Sequence, residues 1–120
     1  MDYAMRIAAL LCSRLCHDLI GAVAAIANGV ELVHEDAGAD TREQALGLIA
    51  FSAEELSRRI QFYRLAFGAP GGGADIEIKE ARRVAVGLLA AGKVALDWPA
   101  TEAAGQLLPS VAAKLVLNLI

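Results

Sequence analysis

Residues 11–32 read LCSRLCHDLIGAVAAIANGVEL, and the way this stretch turns decides the fold. With about 100° between successive residues of a helix, the side opposite His17 collects Leu11, Cys12, Leu15, Leu19, Val23, Ile26 and Val30. That is the continuous apolar stripe of a packed helix. Ala4, Ala8 and Val33 extend it, which predicts one long helix from about Asp2 to Glu35. The His17 side collects Arg6, Ser13, Arg14, Gly21, Ala24, Asn28, Glu31 and Glu35. The imidazole is therefore expected on the polar face, above a flat patch at Gly21 and Ala24.

A short polar connection with Gly38 follows. Thr41 with Gln44, or Asp40 with Glu43, forms a capping box for a second helix running to about Phe67. In it Ile49, Ala53, Leu56, Ile60, Tyr63 and Phe67 recur at four- and three-residue steps, the spacing of nearly parallel helix packing. Gly68 is expected as the C′ residue and Pro70 as the stop. The two helices make an antiparallel hairpin. Two hairpins about a two-fold axis make a four-helix bundle, which buries the surplus apolar surface.

After the glycine-rich linker at 69–75 the pattern changes. Ile78 to Ala91 predicts a helix. Lys93 to Trp98 alternates like a strand stopped by Pro99. Leu107 to Ile120 predicts a helix with Pro109 in its first turn. Residues 76–120 thus read as the start of an α/β unit. The chain ends inside an apolar run, so this second domain is expected to be incomplete.

The 120 residues carry a net charge of −3 and no Lys/Arg block, which argues against nucleic-acid binding. Arg14, His17, Asp18, Asn28 and Glu31 interrupt the most apolar stretch, and no secretory leader pattern opens the chain. A cytoplasmic protein with no membrane partner is expected. Cys12 and Cys16, one turn apart, are expected as reduced, buried thiols. They point away from His17, so the three cannot hold one metal ion. Gly71 to Gly73 follow no strand and precede no Gly-Lys-Ser/Thr, so they are no phosphate loop. Glu54, Glu55, Arg58 and Arg59 make a solvated face of i,i+4 pairs, and Trp98 is expected in the core.

Among these residues His17 has the most chemistry. Neutral imidazole attacks phosphorus near pH 7, and the phosphoramidate it forms is transferable. Asp18 is placed to orient the ring or accept a proton, and Arg14, one turn earlier, to offset phosphate charge. By itself, an exposed histidine on an amphipathic helix is most often only a surface residue.

His17-Asp18-Leu19, with Ala25-Ile26-Ala27-Asn28-Gly29-Val30-Glu31-Leu32 after it, resembles the phosphoacceptor helix of histidine kinases. The longer run from Leu11 to Ile20, and the second-helix ending from Arg59 to Ala69, resemble the ChpT-type histidine phosphotransferases of alphaproteobacteria. The likeness covers nearly the whole chain. It implies an α+β protein, with a dimeric helical-hairpin bundle followed by a degenerate histidine-kinase ATPase-like domain. It also implies a phosphorelay intermediate, a phosphotransferase without ATP-dependent kinase activity of its own. His17 would be the phosphoacceptor; Asp18 is expected to orient or polarise its ring, and the helical face that Arg14, Gly21, Ala24 and Asn28 share with it is expected to be the docking surface. The implied partners are a second copy, the receiver domain of a hybrid kinase and the receivers of response regulators. No cofactor or metal of its own is implied, magnesium sitting in the receiver's acidic pocket.

Two departures stand out. Gly21-Ala22 replaces the family's Ser-Pro, which removes the proline kink and predicts a straighter helix. Asn118 aligns with the first asparagine of a kinase's ATP-binding helix, two residues before the end of the chain. The alternatives are a fragment of an ATP-dependent sensor kinase and a non-catalytic dimerisation scaffold.

Overall fold

The computed structural model describes residues 2–35, 38–68, 75–98 and 106–120, without the side chains of 108, 110 and 111. Most of the expected linker at 69–75, and Pro99, lie outside them. The order is α1 (Tyr3–His34), α2 (Ala39–Phe67), β1 (Ile76–Glu77), α3 (Ile78–Leu89), β2 (Leu107–Leu108) and α4 (Ser110–Asn118). The chain packs as two compact units, Met1–Leu56 and Ser57–Ile120, whose boundary falls inside α2.

The first unit holds α1 and the first part of α2, packed as a helical hairpin. Gly38, at φ 94°, makes the turn, and its carbonyl accepts from the Arg42 N–H at 3.1 Å. A positive φ is cheap only for glycine. Helix α2 therefore starts at Ala39, and Asp40 and Thr41, expected as caps, lie inside its first turn.

The contact seam differs from the stripe expected from periodicity. On α1 the buried residues are Ala22 and Gly29. On α2, Ala45 and Ser52 are buried, whereas Ala53, expected in the stripe, is exposed. Large apolar side chains stay outside: Val23 is 52% exposed, Ile20 64% and Phe51 51%. The apolar face is wider than one partner helix can cover. Small residues let two helix backbones approach closely, so the intrachain contact takes that edge. Gly29 shows how close: a Cβ there would lie 2.6 Å from Cγ1 of Ile49 and 3.2 Å from the Ala45 carbonyl oxygen.

By length and composition α1 is apolar enough to cross a membrane, although no unbroken apolar run within it reaches about 18 residues. Arg14, His17 and Asp18 occupy its middle.

The second unit is built on a core of Phe62, Ala66, Ala81, Val84, Ala85 and Leu117, with Tyr63, Leu65, Phe67, Leu88, Leu96 and Trp98 against it. Helix α3 places Ala81, Val84, Ala85 and Leu88 on one face by their 3.6-residue period. Trp98 joins this core as expected, and its carbonyl accepts from Arg82 Nε at 2.5 Å. The strand expected at Lys93–Trp98 is absent. The only ladder among the described residues is antiparallel, Ile76 opposite Leu108 and Glu77 opposite Leu107. Alternation shows only that a segment has two faces; a strand also needs a neighbour with free backbone groups. Helix α4 begins at Ser110 rather than Leu107. Proline disfavours helical backbone in the residue before it, so Leu108 is extended and Pro109 becomes the N-cap.

Helix α2 ends at Phe67 as expected, but Gly68 is not left-handed. Glycine is needed there because a Cβ would collide with the Arg64 carbonyl. The last carbonyls of α2 are claimed by α4. Lys114 Nζ donates to the Leu65 and Gly68 oxygens at 3.0 and 2.6 Å, and Asn118 Nδ2 donates to Ala66 at 3.2 Å. A cation at a helix C-terminus satisfies orphan carbonyls and the helix dipole together. Lys114→Met keeps the stem and removes the donors. It should cost about 1–2 kcal/mol, measured by urea unfolding.

Candidate functional site

Helix α1 carries the site, and its regular turn sets the geometry. Every residue expected on the His17 face is exposed: Arg6, Ser13, Arg14, His17, Gly21, Ala24, Asn28, Glu31 and Glu35. The His17 side chain is 82% exposed and that of Arg14 75%. Asp18, one position round the helix, lies at the edge of the seam and is only 24% exposed. Its carboxylate reaches back to both neighbours, with Oδ1 3.6 Å from His17 Nδ1 and Oδ2 3.4 Å from Arg14 Nε. At 3.6 Å the contact with His17 is electrostatic rather than a hydrogen bond.

This arrangement has a chemical consequence. A carboxylate facing Nδ1 favours a proton on that nitrogen and leaves the Nε2 lone pair free. The imidazole thus stands on a regular helix, with the Asp18 carboxylate one residue along the same backbone.

Gly21, Ala24 and Asn28 continue the face, and Gly21 is open: a Cβ built on it meets nothing within 4 Å. Since glycine is about 1 kcal/mol worse than alanine inside a helix, Gly21→Ala should stabilise the chain by roughly that amount. A thermal melt raised by a few degrees is the expected readout.

The thiols of Cys12 and Cys16 correct the sequence expectation. Both are exposed, because they lie on the part of the apolar face that α2 does not cover. Among the described residues no group of three or more His, Cys, Asp and Glu gathers as a metal site. Both hydrogens of the Asn118 amide are taken by carbonyls, those of Ala66 and, at 2.7 Å, Lys114.

No family model matches the chain. It is 46% identical over 118 residues to the protein phosphotransferase ChpT of Brucella abortus (strain 2308), a match covering 98% of this chain and 54% of that protein. The chain belongs to the ChpT-type phosphotransferases. A solved structure described as a bacterial phosphotransferase superposes with a TM-score of 0.74 at 36% identity, over 99% of this chain and 54% of that one. The chain thus spans about half the length of the relatives it matches.

Within this family frame, two residues of the His17 face escaped the sequence reading. Leu10 lies seven residues before His17, two turns along the same face, and is 71% exposed. Ile20 lies three residues after it and is 64% exposed. The signal was present in the sequence as large apolar residues on an otherwise polar or small-residue surface. Helix α1 also runs uninterrupted through Gly21 and Ala22, where the family's Ser-Pro stands.

Proposed function

We propose that this chain is a histidine phosphotransferase that relays a phosphoryl group between receiver-domain aspartates through His17. The observation that carries the reading is an exposed imidazole whose Nδ1 faces Asp18, in a chain closely similar to a protein phosphotransferase. Nε2 attacks the phosphorus of an aspartyl phosphate, the N–P bond forms, and the aspartate carboxylate leaves. The ring keeps its Nδ1 proton and becomes cationic, and Asp18 balances that charge. The reverse step passes the phosphoryl group to a second receiver. The magnesium ion this transfer uses sits in the receiver, and the chain itself brings no metal or cofactor.

Arg14, Gly21, Ala24 and Asn28 form the docking surface in this reading, with Leu10 and Ile20 as apolar contacts at its rim. Asp18 lies close to Arg14, so Arg14 can move from Asp18 to the phosphoryl oxygens when they arrive. The working protein is a cytoplasmic homodimer whose hairpins, residues 1–68, form a four-helix bundle. Residues 69–75 link them to a degenerate ATPase-like domain that begins at 76. The receivers of a hybrid kinase and of response regulators are its partners. The test is incubation with a phosphorylated receiver. An acid-labile, base-stable phosphate on His17 is expected, and its absence rejects the relay.

The dimer rests on a separate observation. Met5, Cys12, Cys16, Val23 and Val30 leave an apolar strip of α1 exposed, and a contiguous exposed apolar strip marks an interaction surface. Val23→Glu should therefore convert the dimer to monomer in sedimentation equilibrium. A monomeric parent protein would refute the bundle and leave the phosphohistidine chemistry standing.

A further inference from the structure

The second unit contains a cleft of about 300 Å³ between the end of α2 and α3, lined by Gln61, Arg64, Leu65, Glu80, Arg83 and Val84. The phosphotransfer chemistry uses none of these residues. Leu65 and Val84 supply apolar walls, and Arg64 and Arg83 both belong to the lining.

The two arginines are in different states. Arg83 is held in place: Nε and Nη2 donate to Glu80 at 2.9 and 2.7 Å, and Nη1 donates to the Gln61 oxygen at 2.8 Å. Gln61 is itself anchored, its Nε2 donating to Ser57 Oγ at 3.1 Å. Hydrogen bonding to Arg83 holds the Glu80 carboxyl below its ordinary range, so the pair stays ionised. Three of the five N–H donors of Arg83 are used, which leaves two. Arg64, three residues after Gln61 on α2, is exposed, and its side chain makes no hydrogen bond or ion pair among the described residues. The cleft thus offers one fixed guanidinium with spare donors and one uncommitted guanidinium.

Charge distribution points the same way. Residues 1–56 carry three Lys/Arg against nine Asp/Glu, whereas residues 57–120 carry eight against five. Within an acidic chain, the unit containing the cleft is basic.

We propose that this cleft binds a small oxyanion, the phosphate or carboxylate group of a small molecule, clasped between Arg64 and Arg83. Paired guanidinium forks match such groups in shape as well as charge. Arg83 is already ordered, so it loses little conformational freedom on binding. The cleft's volume suits a small ligand, and its apolar walls accommodate a short carbon skeleton behind the anion.

The experiment follows the Nε–H resonances of Arg64 and Arg83 by nitrogen-15 NMR of the full chain. Inorganic phosphate and citrate are titrated separately at constant ionic strength, with chloride as the reference. Saturable shifts at both arginines, with a midpoint on the order of millimolar, are expected with at least one anion, and the stronger response names the group. Arg64→Gln should weaken binding at least about tenfold without changing the melting temperature. Arg83→Lys, which keeps the charge and loses the fork, should weaken it severalfold. Shifts equal to those of chloride, or unchanged in either variant, overturn the clasp. A response only to a glutamate-rich peptide also overturns it and makes the cleft a protein-docking site.

Discussion

His17→Ala is expected to leave no phosphoryl group on the chain after incubation with a phosphorylated receiver, and to stop transfer to a second receiver completely. The proposed relay forms a covalent N–P bond, and alanine has no atom to form it. Acid–base and docking contributions cannot substitute for a missing nucleophile. The fold should be indifferent, because the side chain is 82% exposed and Asp18, at 3.6 Å, is its contact among the described residues. Exposed substitutions of this kind usually change stability by less than about 0.5 kcal/mol. An unchanged melt with abolished transfer therefore separates chemistry from structure. Asp18→Asn is the companion variant. It keeps the size and removes the charge, so transfer should slow by roughly a hundredfold while the phosphate still lands on His17. Full transfer by the His17 variant would remove the site assignment, and full transfer by the Asp18 variant would remove only the orienting role.

Gly29→Leu is expected to give the largest loss of stability of any single exposed-to-apolar or small-to-large change in the first unit. The site is buried, and even a Cβ meets Ile49 and the Ala45 carbonyl closer than side chains normally tolerate. The Ile49 side chain must shift to admit it, and a backbone oxygen moves only if α2 moves. Against this stands the helix-propensity gain of leucine over glycine, about 1 kcal/mol at most. Overpacking of this kind costs about 1–3 kcal/mol, occasionally more. The expected net loss is about 1–2 kcal/mol, a substantial part of an ordinary domain's stability. Urea unfolding followed by circular dichroism measures it. Gly21→Ala is the internal control on the same helix: identical in residue type, open to solvent, and stabilising. Equal signs for the two would show that α1 and α2 do not approach at Gly29.

The contrast between these glycines shows how far the chain can be read without coordinates. Helix α1, the end of α2 and the helical start at Ile78 follow from periodicity and breakers, which are local properties. The polar face around His17 follows from the same arithmetic, and each residue placed there by counting is exposed. Leu10 and Ile20 were equally legible by counting, but an apolar residue on a polar face carries no label until its exposure is known.

Other features depended on partners distant in sequence. Period alone identified a broad apolar face on α1, and tertiary packing selected its small-residue edge, because backbones approach most closely where side chains are smallest. That selection leaves Cys12, Cys16, Val23 and Val30 outside. The alternation at Lys93–Trp98 formed no ladder, whereas the two-residue pairing of Ile76–Glu77 with Leu107–Leu108 did. The sequence by itself determined the long helix, the face of that helix on which His17 stands, and the aspartate beside it, since these depend only on the turn of one helix. Tertiary structure alone decided which edge of the apolar face is sealed, how Lys114 and Asn118 close the end of α2, and how Arg64 and Arg83 come to share a cleft. Those outcomes depend on contacts between segments, and a contact is a property of two places in the chain at once.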